Sequence, residues 1–178
     1  MMIELKNKYK TGIRRFQYIN WIGFFSLYKK ETLRFLNVFG QTIVGPVITA
    51  ILFLLVISLA IGEQRSDVLG VPFIEFLAPG LIAMQVIQQA FSHSSSSLLM
   101  GKVMGNIVDL IGAPLSSGEV TISIIFASVT RGVIISFISI ITFSFMVEIE
   151  IKDYLILITY LFLSSFLMGA AGIVAGLW

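Results

Sequence analysis

The run VTISIIFASVTRGVIISFISIITFSFMV, residues 120–147, decides the fold of this chain. Only one of its side chains, Arg131, carries a charge. A helix needs about 20 apolar residues to cross a hydrocarbon core about 30 Å thick, so the run is long enough to span a membrane. Lipid offers no partner to backbone N–H and C=O groups, which a helix pairs internally. The sequence therefore predicts a membrane-spanning helix.

Three further apolar runs are of similar length, and they are Val38–Gly62, Phe76–Leu99 and Tyr154–Trp178. Hydrophobic residues make up 57% of the chain and charged residues 12%, against about 25% charged residues in soluble domains. The runs are also much longer than the strands of a membrane barrel, which have about 10 residues. We predict an all-α, polytopic transmembrane helical bundle with four spanning helices, and a transmembrane domain over residues 38–178.

Basic residues are concentrated ahead of the first predicted span, and the positive-inside rule places that end in the cytoplasm. The segments Glu63–Glu75 and Glu148–Asp153 are then outside, and residues 100–119 are cytoplasmic. We expect a multi-pass protein of the bacterial cytoplasmic (inner) membrane. Eight of the twelve Lys and Arg residues lie in this N-terminal part: Lys6, Lys8, Lys10, Arg14, Arg15, Lys29, Lys30 and Arg34.

Composition disfavours several classes of function. The chain has no Cys and one His, so no thiolate metal site is possible and we expect neither a metal nor a cofactor. It has no GxxxxGK[ST] phosphate loop, so ATP hydrolysis is expected only in a partner and not in this chain. The first apolar run follows a long basic segment, which predicts that no signal peptide is cleaved. Nucleic acid is not an expected partner.

Residues 1–37 are predicted to form a cytoplasmic tail and an interfacial amphipathic helix. Between Arg15 and Leu36 aromatic and apolar residues recur at steps of three and four, with Lys30 and Arg34 on the opposite side. Such a helix, just ahead of a span, is typical of the membrane interface. Packing against a soluble partner or another span is the alternative. The aromatic and apolar face contains Trp21, Phe24, Phe25, Tyr28, Thr32, Phe35 and Leu36.

Residues 100–112 are predicted to form a short amphipathic helix on the cytoplasmic side. Lys102, Asn106 and Asp109 lie on one arc of the helical wheel, and apolar residues lie on the opposite arc. A helix joined to two spans in this way can receive force from a cytoplasmic partner, which would make it a coupling helix. A plain interfacial connector is the alternative.

Two prolines and a capping sequence predict where helices bend, end and begin. Pro46 lies well inside the first apolar run and predicts a kink, because proline removes one backbone hydrogen bond. Pro114 ends the coupling helix. Ser116 or Ser117 is a candidate N-cap for the next span. The negative charge of Glu119 would interact favourably with the positive end of the helix dipole.

The second predicted span carries a stripe of polar side chains that lipid cannot face. Both a translocation path and interhelical hydrogen bonding would explain the stripe, and the sequence leaves both open. The role of its single histidine is open as well. The stripe contains Gln85, Gln88, Gln89, Ser92, His93, Ser95 and Ser96.

Arg131 is a second polar feature within the apolar runs. A deeply placed arginine is costly in a membrane and normally faces the bundle interior with a partner, so it is a candidate for the translocation path. A structural bond to helix carbonyls or to one of the Gln residues is the alternative.

Small residues form a ridge near the end of the fourth predicted span. Ser165, Gly169, Gly172 and Gly176 recur at steps of four, three and four. Small side chains let helices approach closely, so the ridge predicts helix packing. It would equally suit a contact between two subunits.

Three stretches resemble the membrane subunits of type-2 ABC exporters: KKETLRFLNVFGQTIVGPVITAILFLLVISLAIG, FIEFLAPGLIAMQVIQQAFSHSSSSLLMGKVMGNIVDLIGAPLSSGEV and AAGIVAGLW. The most specific part is FLAPG followed about thirty residues later by APLSSGE. Members of that family have six spans, whereas four are predicted here, so the chain looks like a C-terminally truncated form. It also has His93 where a small polar residue is more usual.

The resemblance implies partners and contacts. The partners would be an ATP-binding cassette ATPase subunit, a second permease copy in a homodimer or heterodimer, and membrane lipid. The substrate would be a drug, a lipid or a polysaccharide, which the sequence does not distinguish. By position, the implied contacts with the ATPase are Lys30, Glu31 and Arg34 on the first helix, and Asn106, Asp109 and Leu110 on the coupling helix.

We therefore expect the permease subunit of an ATP-driven exporter, powered by a separate subunit. One alternative is a secondary transporter driven by an ion gradient, although no acidic residue lies within the predicted spans. A membrane assembly protein that does not transport is another. An intramembrane enzyme using His93 is disfavoured, because no carboxylate in the same span would orient the histidine.

Overall fold

A computed structural model describes residues 19–61, 68, 70–147, 151 and 153–178. The basic tail up to residue 18 and most of the two segments predicted to be outside lie beyond the described residues. Six α-helices and one π-helical segment follow in chain order, and the described residues contain no β-strand. They are α1 (Trp21–Leu36), the π segment (Gly40–Val44), α2 (Gly45–Ile61), α3 (Phe73–Val103), α4 (Ile107–Gly112), α5 (Ser117–Ser144) and α6 (Tyr154–Leu177).

Four of these helical stretches are long and apolar enough to cross a membrane. They begin and end within a few residues of the predicted runs, except that the second is longer at both ends. The all-α, polytopic bundle predicted from the sequence is thereby confirmed. The four stretches are Gly40–Ala60, Phe73–Val103, Ser117–Ser144 and Tyr154–Leu177.

The helices α3, α5 and α6 pack against one another and form the centre of the bundle. One apolar cluster lies at one end of this centre, around Leu98, Ile124 and Ile173. A second cluster lies at the other end, where Leu54 of α2 packs with Leu81 and Phe143. Burial of apolar side chains in these clusters stabilises helix contacts through close packing, since lipid itself is apolar.

The helix α1 packs into the groove between α3 and α5. Its buried residues are Leu27, Glu31 and Phe35, which recur every four residues and therefore share one face. Trp21 and Phe25, predicted to belong to a common aromatic face with Phe35, are exposed instead. The helix thus packs against other spans through one face, while its position in the membrane interface stays a prediction.

The predicted coupling helix over residues 100–112 is not one helix. The second span continues as α3 to Val103, and Gly105 adopts a left-handed conformation with φ of 75°. A residue at positive φ interrupts an α-helix, and glycine adopts that conformation without a steric cost. The separate six-residue helix α4 then begins at Ile107.

The capping sequence ahead of α5 is confirmed. The Ser116 hydroxyl accepts a hydrogen bond from the Glu119 N–H at 3.3 Å, and the Glu119 carboxylate accepts one from the Ser116 N–H at 2.7 Å. This reciprocal pair is a capping box, which satisfies two backbone donors at the start of a helix. The irregularity predicted at Pro46 takes the form of the π segment, which ends two residues before it.

Candidate functional site

A buried carboxylate connects α1 to α3. Glu31 is only 5% exposed and accepts hydrogen bonds from the Ser97 hydroxyl at 2.8 Å and from Arg34 Nη2 at 3.0 Å. Arg34 Nη2 also donates to the carbonyl of His93 at 3.4 Å. The carboxylate of Glu31, predicted to contact an ATPase partner, is thus used inside the bundle in this structure. Lys30 is exposed.

Arg131 lies in the interior and contacts two other elements. Its Nη2 atom donates to Gln89 Oε1 on α3 and, at 3.5 Å, to the carbonyl of Thr42 in the π segment. The residue is 8% exposed. Of the two interpretations that the sequence allowed, the structure matches the structural one, in which the guanidinium binds a helix carbonyl and a Gln side chain.

The polar stripe of the second span divides into two faces of α3. Gln85, Gln89 and His93 recur every four residues and are buried or half-buried. Gln88 and Ser92 are exposed on the outer side. The inner face thus serves interhelical contact, whereas the outer face places polar side chains on the surface of the bundle. Ser96, which is half-buried, donates its hydroxyl to the carbonyl of His93 at 3.1 Å.

His93 is fully buried between α1 and α3. Its ring packs edge-to-face against Phe35 with 5.5 Å between centroids, and its Nε2 atom lies 4.0 Å from Glu31 Oε2. Neither ring nitrogen has a hydrogen-bond partner among the described residues. The nearest carboxylate therefore comes from α1 rather than from the same span. No group of three potential metal ligands occurs within the described part of the chain.

The surface of α4 is only partly the one predicted. Asn106 and Asp109 are exposed, as a contact with a partner requires, whereas Leu110 packs against the apolar cluster around Leu98. The partner contact of the half-buried Leu110 stays a prediction. Val108 and Ile111 are instead exposed by 69% and 77%. On the helical wheel of residues 100–112, both residues lie with Leu110 on the apolar arc. The wheel did not predict that one part of this arc would be packed and another part exposed.

One carboxylate joins the start of α1 to the start of α5. Glu119 Oε1 accepts a hydrogen bond from the backbone N–H of Asn20 at 2.7 Å, in addition to the capping bond with Ser116. The side-chain amide of Asn20 also donates to the carbonyl of Pro114 at 3.3 Å. The beginning of α1 therefore lies beside the segment that follows α4. The sequence contained no signal for this contact between residues about a hundred positions apart.

The glycine ridge of α6 faces the centre of the bundle. A Cβ atom added at Gly172 would lie 2.5 Å from the carbonyl oxygen of Phe91, and one at Gly176 would lie 2.9 Å from that of Ser95. Gly169 faces the Ser128 side chain in the same manner. The ridge is thus covered by α3 and α5 of the same chain, which leaves it no surface for a second subunit.

Sequence comparison identifies the family. The profile of the ABC-2 type transporter family matches residues 22–178, which extend from α1 to the end of α6. The chain belongs to the ABC-2 type transporter family. No solved structure matches it.

Similar relatives carry the name inner membrane transport permease YadH. The protein of Escherichia coli K12 is 29% identical over 161 residues, which cover 90% of this chain and 63% of the relative. The proteins of Escherichia coli O157:H7 and Shigella flexneri have the same identity and coverage. The chain thus spans 63% of the length of the curated relatives it matches. Together with the four apolar helices, the family and these relatives make it an integral, multi-pass inner-membrane protein.

Proposed function

We propose that the chain is the membrane-spanning permease subunit of an ATP-driven ABC exporter. It would form a translocation path with a second permease copy and receive force from a separate ATP-binding cassette subunit. The family match over the whole length from α1 to α6 carries this proposal. The chain itself would hydrolyse no nucleotide, since its role as a permease is to change conformation when the ATPase does.

The two elements proposed to receive the force lie side by side. Asn20 at the start of α1 contacts both Pro114 and Glu119, which flank the end of the segment containing α4. A single ATPase subunit could therefore contact both elements at one end of the bundle. This proximity supports the assignment of that end to the cytoplasmic side, together with the excess of basic residues in the N-terminal segment.

The proposed docking surface combines charge with apolar contact. Asn106 and Asp109 present polar groups on α4, and Val108 and Ile111 present apolar ones beside them. A buried apolar centre with a polar rim is the usual anatomy of a protein interface. Lys30, exposed on α1, would add a positive charge. Of the residues first considered, Glu31 and Leu110 are replaced in this proposal by Val108 and Ile111.

The proposed translocation path runs along the outer face of α3. Gln88 is the midpoint of that helix, and Ser92 lies one turn further along the same exposed side. An amide at the middle of a span cannot be left against lipid, because each unsatisfied polar group costs several kcal/mol. A second permease copy, or water between two copies, would cover this face. Gln89 and Arg131 would then hold the bundle together behind it, whereas the path assigned to the buried Gln85 stays a prediction.

The experiment is to reconstitute the full-length protein in nanodiscs with an ATP-binding cassette subunit that co-purifies with it, and to measure ATPase activity. We expect Asp109→Arg to abolish the stimulation of ATP hydrolysis by the permease, because it reverses a charge on the docking surface. Asp153→Arg is the matched control, since Asp153 is exposed and lies at the start of α6, away from α4. Equal stimulation by both variants would remove the docking assignment.

A further inference from the structure

The joint between α1 and α2 departs from α-helical geometry. In the π segment, the Gly45 N–H donates to the carbonyl of Gly40, five residues earlier. Pro46 has no N–H, so it cannot donate to the carbonyl of Thr42, four residues earlier, as an α-helix would require. π-Helical segments are rare, and they frequently occur at functional sites. The joint is therefore a place where the backbone needs support from elsewhere.

Thr42 makes the hydrogen bonds that support the joint. Its hydroxyl has a single hydrogen, which the carbonyls of Phe35 and Val38 share, both 2.8 Å from the Oγ1 atom, and it so ties the end of α1 to the π segment. Its own carbonyl, to which Pro46 has no N–H to donate, accepts a hydrogen bond from Arg131 Nη2 at 3.5 Å. The joint is thus stabilised by Thr42, which lies in the π segment itself, and by Arg131, which lies on α5.

Arg131 is well suited to hold the joint against α3. The same Nη2 atom that reaches Thr42 also donates to Gln89 Oε1, so one guanidinium connects the π segment and α3. Arg131 makes no ion pair with any described residue, and neutral oxygens alone accept its hydrogen bonds. A guanidinium has five N–H donors in a fixed plane, which lets it serve two acceptors on different elements at once.

A second connection links α1 to α3 two turns away. Glu31 accepts a hydrogen bond from Ser97, and Arg34 donates to the carbonyl of His93. Ser97 and Gln89 are eight residues apart, or about 12 Å along the helix. Gln88 lies next to this stretch, on the exposed face of α3. The end of α1 and the joint are therefore fastened to α3 at both ends of one short stretch.

We propose that Arg131 is a positioning residue that clamps the joint between α1 and α2 to the polar centre of α3. With the clamp in place, α1, the π segment and the outer face of α3 around Gln88 move as one unit. Without it, the joint bends, and a displacement of α1 no longer moves the joint and α2 together with α3, although Glu31 and Arg34 still hold α1 itself to α3. The transport consequence rests on the proposed permease function, whereas the clamp itself does not.

Spin-label distances across the joint test the clamp directly. The chain has no cysteine, so Leu33→Cys on α1 and Leu52→Cys on α2 can be labelled, and both positions are exposed. Collinear helices would place the two labelled positions about 28 Å apart, a distance that double electron–electron resonance spectroscopy can measure. In the full-length protein without any partner, we expect one narrow distribution of distances between the two labels. We expect Arg131→Met to increase the width of that distribution at least twofold. Val133→Met, at an exposed position of the same helix, is the matched control.

A rescue variant separates the clamp from general packing. Pro46→Ala supplies the missing N–H to the Thr42 carbonyl, so the double variant with Arg131→Met should recover the narrow distribution. Should Arg131→Met fail to insert, Gln89→Leu removes the other half of the clamp and should widen the distribution as well. The proposal would be overturned if the distance distribution stayed narrow in a single variant that inserts into the membrane. It would also be overturned if the distribution of the double variant stayed wide.

ATPase stimulation by the same variants distinguishes the clamp from the proposed function. If the unmodified protein does not couple to the ATP-binding cassette subunit, the permease proposal fails while the distance measurement still stands. If it does couple, we expect Arg131→Met to lose at least tenfold in stimulation and the double variant with Pro46→Ala to regain it. Full stimulation despite a widened distance would overturn the role of the clamp in transmission.

Discussion

Gly172→Ala is expected to destabilise the bundle, although alanine is the better helix former. Gly172 lies where α6 crosses α3, and an added Cβ would lie 2.5 Å from the carbonyl oxygen of Phe91 and against the Ser94 hydroxyl. The serine can rotate away, but the carbonyl belongs to the backbone of α3 and cannot. Gly80, within α3, is the matched control because no atom lies within 4 Å of the position of its Cβ.

The magnitude follows from two opposing contributions. Alanine gains about 1 kcal/mol over glycine in a helix interior at either position. At Gly172 the Cβ must retreat from 2.5 Å to the ordinary contact distance of 3.4 Å, which separates α3 from α6 by roughly 1 Å and weakens their dispersion contacts. Overpacking of this kind costs about 1–3 kcal/mol. Because the neighbouring atom belongs to a rigid backbone, we expect the cost to lie near the upper end, at about 3 kcal/mol.

Gly172→Ala should therefore lower the free energy of unfolding by about 2 kcal/mol, and Gly80→Ala should raise it by about 1 kcal/mol. The difference of about 3 kcal/mol corresponds to roughly a hundredfold change in the unfolding equilibrium. Reversible unfolding of the full-length protein in detergent or bicelles measures it. If the two variants unfold with the same free energy, the close contact between α3 and α6 is not a feature of the native bundle.

Two further substitutions test the polar contacts by the same unfolding measurement. Glu31→Ala should cost about 1–3 kcal/mol, because it removes the acceptor of the half-buried Ser97 hydroxyl and one of the two acceptors of Arg34, and an unchanged stability would place the carboxylate in solvent. Ser116→Ala should cost about 1 kcal/mol through loss of the N-cap, whereas Ser117→Ala, at the first helical position, should change stability by less than about 0.5 kcal/mol.

Features that depend on local pattern were predictable from the sequence. Spans are recognisable because about 20 consecutive apolar residues have few other uses. The start of α5 was predictable because Ser116 and Glu119 have the spacing of a capping box. The polar stripe of α3 was recognisable too, although its division between an inner face with Gln89 and an outer face with Gln88 was not. That division depends on which helices happen to lie on either side.

Features that depend on distant contacts were not predictable. Glu31 resembles an exposed interfacial residue in the sequence, and only the packing of α1 against α3 brings Ser97 to it from 66 positions away. The split of residues 100–112 depends on the backbone conformation of Gly105, which a helical wheel treats like any small residue. The division of the apolar arc of α4, with Leu110 inside and Ile111 outside, follows from that break.

The carboxylate of Glu119 has a mechanical consequence. Because its two oxygens accept hydrogen bonds from the backbone N–H groups of Asn20 and Ser116, the start of α1 and the segment between α4 and α5 meet at one side chain at the start of α5. Neither can shift alone without straining the other. A displacement of either one would therefore also move the start of α5.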